Sequence, residues 1–96
     1  MRPSEALPLH RERIRQLVVE AGMTNPRVFG SALHGVDNES SDLDLLVDPS
    51  SKTDLLDMVR LQRLIQEEIG FRVDLLSPGD LPPKFRDHVV AEALPV

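Results

Sequence analysis

Val28-Phe29-Gly30-Ser31-Ala32-Leu33-His34-Gly35, running on to Ser41-Asp42-Leu43-Asp44-Leu45-Leu46-Val47-Asp48, is the stretch that decides how this chain reads. A short apolar strand delivers the chain to Gly30-Ser31, where a glycine lets backbone amides come close to an anion and the first turn of a helix aims more N–H groups at it. A second strand follows after a loop of turn-forming residues, Asp37 to Ser41. In that strand Leu43, Leu45 and Val47 alternate with Asp42, Asp44 and Leu46, so burial of the apolar set fixes the direction in which both carboxylates point. A phosphate-binding turn beside two paired acids implies a triphosphate and a divalent metal as ligands.

Outward from this stretch the pattern alternates helix and strand. Ile14, Leu17, Val18 and Ala21 recur at helical spacing and predict an amphipathic helix from about Leu9 to Ala21, closed by Gly22. Pro26 opens the strand Arg27 to Phe29, and Ser31 is placed to cap a short helix. After the turn Pro49 to Thr53, Asp54 to Ile69 is the longest predicted helix, with Leu55, Met58, Val59, Leu61, Leu64, Ile65 and Ile69 as a broad buried stripe and Gly70 as its stop. Phe71 to Leu76 reads as a third strand in which Arg72, Asp74 and Leu76 share a face. Ser77-Pro78-Gly79-Asp80 is a turn, and a closing helix of about Lys84 to Ala93 is anchored by Phe85, Val89 and Val90. The expected architecture is α/β: a small mixed β-sheet with helices packed on one face.

Composition narrows the partners. At 96 residues the chain is expected to form a single domain, residues 1–96, with one modest core. Sixteen acidic against eleven basic residues leave a net charge of −5, which opposes stable binding of free nucleic acid. The absence of cysteine excludes a zinc-thiolate site, and no apolar run approaches the roughly 20 residues of a membrane span. A cytoplasmic location is expected. Base-stacking platforms are restricted to Phe29, Phe71 and Phe85, all in apolar contexts that suit a core.

The chemistry follows from spacing. In-line phosphoryl displacement is commonly clamped by two metal ions about 3.5 to 4 Å apart, bridged by carboxylates. Residues two apart on a strand have Cα atoms roughly 6 to 7 Å apart and side chains on one side, which suits Asp42 and Asp44. Mg²⁺ is the natural ion, because it is held by one or two protein carboxylates with waters and substrate phosphates completing its shell. Asp74, on the next strand, is placed to bind metal near the acceptor and favour its deprotonated form. Gly30 and Ser31 are the candidate triphosphate-binding residues. Each has a plainer reading: Asp42 and Asp44 as the solvated face of an edge strand, Asp74 as a surface acid paired with Arg72, Ser31 as a helix cap only. His10 and His88 read as surface or satisfied helix residues.

Gly30-Ser31, ten residues, then Asp42-Leu43-Asp44 resembles the signature of the minimal nucleotidyltransferases of the DNA polymerase beta superfamily. The leading helix, the Ser41 to Val47 strand and Val73-Asp74-Leu75 extend the resemblance over essentially the whole chain. It implies the polymerase-beta-like nucleotidyltransferase fold. Very short acidic members are similar to antitoxins encoded beside HEPN-domain ribonuclease toxins, which implies transfer of AMP from Mg-ATP to a tyrosine hydroxyl of the toxin. The chain has no tyrosine, so the acceptor must belong to another molecule. One departure is His34, where family members often carry arginine before the glycine that ends the turn. Two other readings stand beside this one: a catalytically silent antitoxin acting by complex formation, and a nucleotidyltransferase acting on tRNA or a small molecule.

Overall fold

The computed structural model describes residues 1–96. Its elements are α1 (Pro3–Glu20), β1 (Thr24–Phe29), α2 (Gly30–His34), β2 (Leu43–Asp48), α3 (Leu55–Ile69), β3 (Val73–Leu76), a single 3-10 turn (Pro78–Asp80), α4 (Pro83–Glu92) and β4 (Leu94–Pro95). The four strands form one mixed sheet in the order β3-β2-β1-β4. β1 runs antiparallel to both β2 and β4, whereas β2 and β3 are parallel and joined through α3.

The core lies between the sheet and the helices α1 and α3. Leu43, Leu45 and Val47 of β2, Val28 of β1, and Val73 and Leu75 of β3 meet Ile14, Leu17 and Val18 of α1 and Leu61 and Ile65 of α3. This is the mixed sheet with helices on one face that the alternation implies. Leu46, on the opposite side of β2, is also fully buried, and the 3-10 turn that reaches β2 brings the buried Leu81 behind it. Arg86 of α4 donates to the carbonyls of Pro78, Gly79 and Leu81, which fastens that turn to the closing helix.

Several boundaries differ from the expectation. α1 begins at Pro3, six residues before Leu9, and continues through Pro8. Its first turn is held by the Arg2–Glu5 box and by Asp37, whose carboxylate accepts the Ser4 N–H at 2.8 Å from 33 residues away. A cap supplied across the fold leaves no local signal. β1 starts at Thr24 rather than Arg27. Asn25 takes the left-handed conformation (φ 56°) and the pairing register shifts between Thr24 and Arg27, so Pro26 sits in a bulge where its missing N–H costs no ladder bond. Phe71 and Arg72 precede β3 instead of opening it.

Burial departs from the pattern in two helices. On α3 only Leu61, Ile65 and Ile69 are buried; Leu55, Leu56, Val59 and Leu64 face solvent, so the predicted stripe is half as wide as its apolar content suggests. On α4 no residue is fully buried, and Phe85 and Val90 are exposed rather than anchoring. Lys84 instead lies over the Phe85 ring, 5.7 Å from its centroid. The apolar C-terminal segment docks on its own sheet as β4. The Val96 N–H donates to Pro26 O at 2.9 Å, its side chain enters the core, and its carbonyl accepts Arg15 Nε at 2.7 Å.

β3 is an edge strand, yet its outward N–H groups are not bare. Those of Val73 and Leu75 each donate, at 3.1 Å, to the side-chain carbonyls of Gln66 and Gln62, one turn apart on α3.

Candidate active site

The site is assembled at the end of the sheet where β1 finishes and β2 and β3 begin. β1 ends at Phe29, which pairs in register with Asp44. The chain then turns at Gly30, with φ 74°, into the single-turn helix α2, which Gly35 closes in the left-handed conformation. The cap of α2 is Phe29, no side chain caps it, and Ser31 lies inside its first turn rather than at the cap position. The plainer cap reading of Ser31 therefore fails. α2 is a single turn, so the N–H groups of its first residues have no carbonyl within the helix to donate to.

Gly30 is also required by contact. A Cβ built there would collide with Oδ2 of Asp44 and lie 3.1 Å from its Cγ, so the Gly-Ser turn and the carboxylate are in direct apposition. Asp44 in turn sits opposite Asp74 across the parallel β2–β3 pair. Strands spaced about 4.8 Å apart put those two carboxyl groups side by side. Asp42, two residues before Asp44, completes the group just ahead of β2.

Electrostatics registers the crowding. Half-burial of the Asp44 carboxyl, reinforced by the charges of Asp74 and Asp42 and a hydrogen bond to Asp74, pushes its pKa up to about 6. A half-buried carboxyl with two further acids beside it is a candidate cation-binding set, and carboxylate oxygens are donors that suit Mg²⁺. They do not close into a ready-made cage of three ligands. The carboxylates line none of the four surface clefts and stand on an open rim.

Arg72 does not pair with Asp74. Its Nε lies 3.7 Å from Oδ2 of Asp42, a loose contact with the guanidinium three-quarters exposed. The plainer reading of Asp74 loses its partner, and Asp42 gains one. His34 is engaged rather than free: its Nε2 is 3.1 Å from one carboxylate oxygen of Glu92 on α4, and His88 Nε2 is 3.4 Å from the other. The His88–Glu92 spacing of four residues is legible as a helix pair, but nothing local announces that His34 joins it. His10 pairs with Glu68 of α3.

A sheet end that sets a Gly-Ser turn against Asp44, with Asp74 opposite it and Asp42 two residues before, is the arrangement of a nucleotidyltransferase, and the chain belongs to the polymerase beta nucleotidyltransferase family, whose profile matches residues 24–95. Among its relatives, a Methanocaldococcus jannaschii protein named as a protein adenylyltransferase is 31% identical over 90% of this chain and 92% of its own length. The protein adenylyltransferase MntA of Thermococcus cleftensis is 31% identical, over 92% of this chain and 86% of its own length. A solved minimal nucleotidyltransferase superposes with a TM-score of 0.87 at 40% identity, covering 97% of this chain and 95% of that one. A toxin-antitoxin complex with AMP-PNP shares the fold at a TM-score of 0.74 and 20% identity, over 88% of this chain and 69% of that one.

Proposed function

We propose that this nucleotidyltransferase is an antitoxin that transfers AMP from Mg-ATP to a tyrosine hydroxyl of a cognate HEPN-domain RNase toxin in the cytoplasm, silencing it. The observation that carries the reading is the apposition of Gly30 with Asp44 and of Asp44 with Asp74, which sets the Gly-Ser turn and two acids side by side. The names of the protein adenylyltransferase relatives support a protein acceptor. The nucleotide analogue in the toxin-antitoxin neighbour supports a nucleotide donor.

Gly30 and Ser31 hold the β- and γ-phosphates through backbone amides and the Ser31 hydroxyl. Asp42 and Asp44 would hold Mg²⁺, with Asp74 beside them on the acceptor side. Bound there, Mg²⁺ would neutralise the triphosphate and lower the pKa of the acceptor hydroxyl. The acceptor oxygen forms a bond to the α-phosphorus as the bond to the bridging oxygen breaks, pyrophosphate departs along the Gly-Ser turn, and Asp74 receives the acceptor proton. Since the chain has no tyrosine, that oxygen comes from its partner.

Intact mass of the co-expressed neighbouring protein tests this. Additions of about 329 Da per AMP that vanish with Asp42→Asn/Asp44→Asn support transfer to protein. The exposed Leu55, Leu56 and Val59 favour a second reading, inhibition by stoichiometric complex formation. An unmodified partner that co-purifies and is still inhibited selects it.

A further inference from the structure

The largest surface cleft, about 560 Å³, is not the carboxylate rim but lies beside it, lined by Arg63, Gln66, Glu67, Gly70, Phe71 and Arg72. It opens where α3 ends and the chain enters β3, on the outer flank of the sheet. The strand order then sets out a sequence in space: the Gly-Ser turn at the end of β1, Asp42 just ahead of β2 and Asp44 on it, Asp74 on β3, and the cleft beyond.

In-line displacement puts the nucleophile and the leaving group on opposite sides of the reacting phosphorus. Pyrophosphate leaves toward the Gly-Ser turn, so the acceptor arrives from the β3 side, over the cleft. Its lining carries two guanidinium groups against one carboxylate, on a chain whose net charge is −5. None of the arginine ion pairs within the chain uses Arg63. Arg72 has only the loose contact with Asp42, which a metal ion at Asp42 would displace.

Resting on the adenylyl-transfer reading above, we infer that this cleft is the acceptor-docking site, and that Arg63 and Arg72 receive an acidic stretch of the acceptor protein next to the modified hydroxyl. Phe71, half-buried against the core, gives the cleft a fixed floor. Two arginines are too few to track a nucleic-acid backbone, whereas they suffice for a pair of carboxylates on a peptide.

The test uses the full chain and the neighbouring protein, purified unmodified from cells carrying the Asp44→Asn variant. Arg63→Glu raises the KM for that protein at least tenfold, leaves kcat and the Kd for ATP within twofold, and does not move the unfolding midpoint. Arg63→Lys largely restores the wild-type KM, and the rise of KM with salt seen for wild type is flattened in Arg63→Glu. An unchanged KM in Arg63→Glu overturns the docking site while leaving adenylyl transfer intact. Labelling of RNA in place of the protein overturns it in favour of a nucleic-acid acceptor. A wild-type chain that binds ATP and labels no protein removes the adenylyl-transfer reading itself, and the docking site with it.

Discussion

Gly30 and Asp44 occupy space that allows no third atom. Gly30→Ala places its Cβ on the Asp44 carboxylate and holds an alanine at φ 74°, a conformation that costs a non-glycine residue about 1–2 kcal/mol. The variant loses that much stability by chemical denaturation, and transferase activity falls at least 100-fold as the carboxylate is displaced. Asp44 carries its own signature. An acid whose folded-state pKa of about 6 exceeds its unfolded value of 3.8 stabilises the fold fully below the lower value, and loses that contribution as pH rises through the higher. The metal-free protein therefore shows an unfolding midpoint that falls between about pH 4 and pH 7 relative to Asp44→Asn, and Mg²⁺ narrows the difference near neutrality. Thermal scans of the two proteins across that range check the sign. The placement of Asp44 and Asp74 on neighbouring strands was legible because a period of two, with one face apolar, leaves a carboxylate a single direction to point, whereas Asp42, expected to open its strand, lies one residue ahead of it. Asp37 and Glu92 were not. Each acts on an element distant in sequence, Asp37 on the start of α1 and Glu92 on His34.

Helix α3 shows what an apolar count alone leaves undecided. Leu61 is sealed against the sheet while Leu55 is 80% exposed, although both belong to one continuous apolar pattern. Leu61→Ala is expected to cost about 2–5 kcal/mol through the cavity it leaves, and Leu55→Ala under about 0.5 kcal/mol, in denaturant titrations of the two variants. The start and stop of this helix were readable in Asp54, which caps the Asp57 N–H, and in Gly70 at φ 83°. α1 was readable only from its middle. Removing its distant cap with Asp37→Ala costs about 0.5–2 kcal/mol and speeds amide exchange in the first turn while leaving the last turn protected. In α4, periodicity found the helix but not its packing. Its polar ties to the 3-10 turn run through Arg86, a residue that hydropathy assigns to solvent.

At the scale of the molecule, alternation of helix and strand gave three of the four strands and the mixed sheet. The fourth was hidden: β4 is two residues long and both are exposed, while Val96 beyond it reaches the core. Deleting Leu94 to Val96 withdraws that side chain and the Arg15 contact, and lowers stability by about 1.5–3 kcal/mol, measured by urea unfolding. The strand order also decides how a partner can approach the opposite flank. Because Gln62 and Gln66 already occupy the N–H groups of Val73 and Leu75, β3 offers no free ladder for a foreign chain to extend. β-augmentation is closed at the edge nearest the carboxylates. A segment arriving there has to be gripped by its side chains, and so can be released after a single turnover instead of being woven into the sheet.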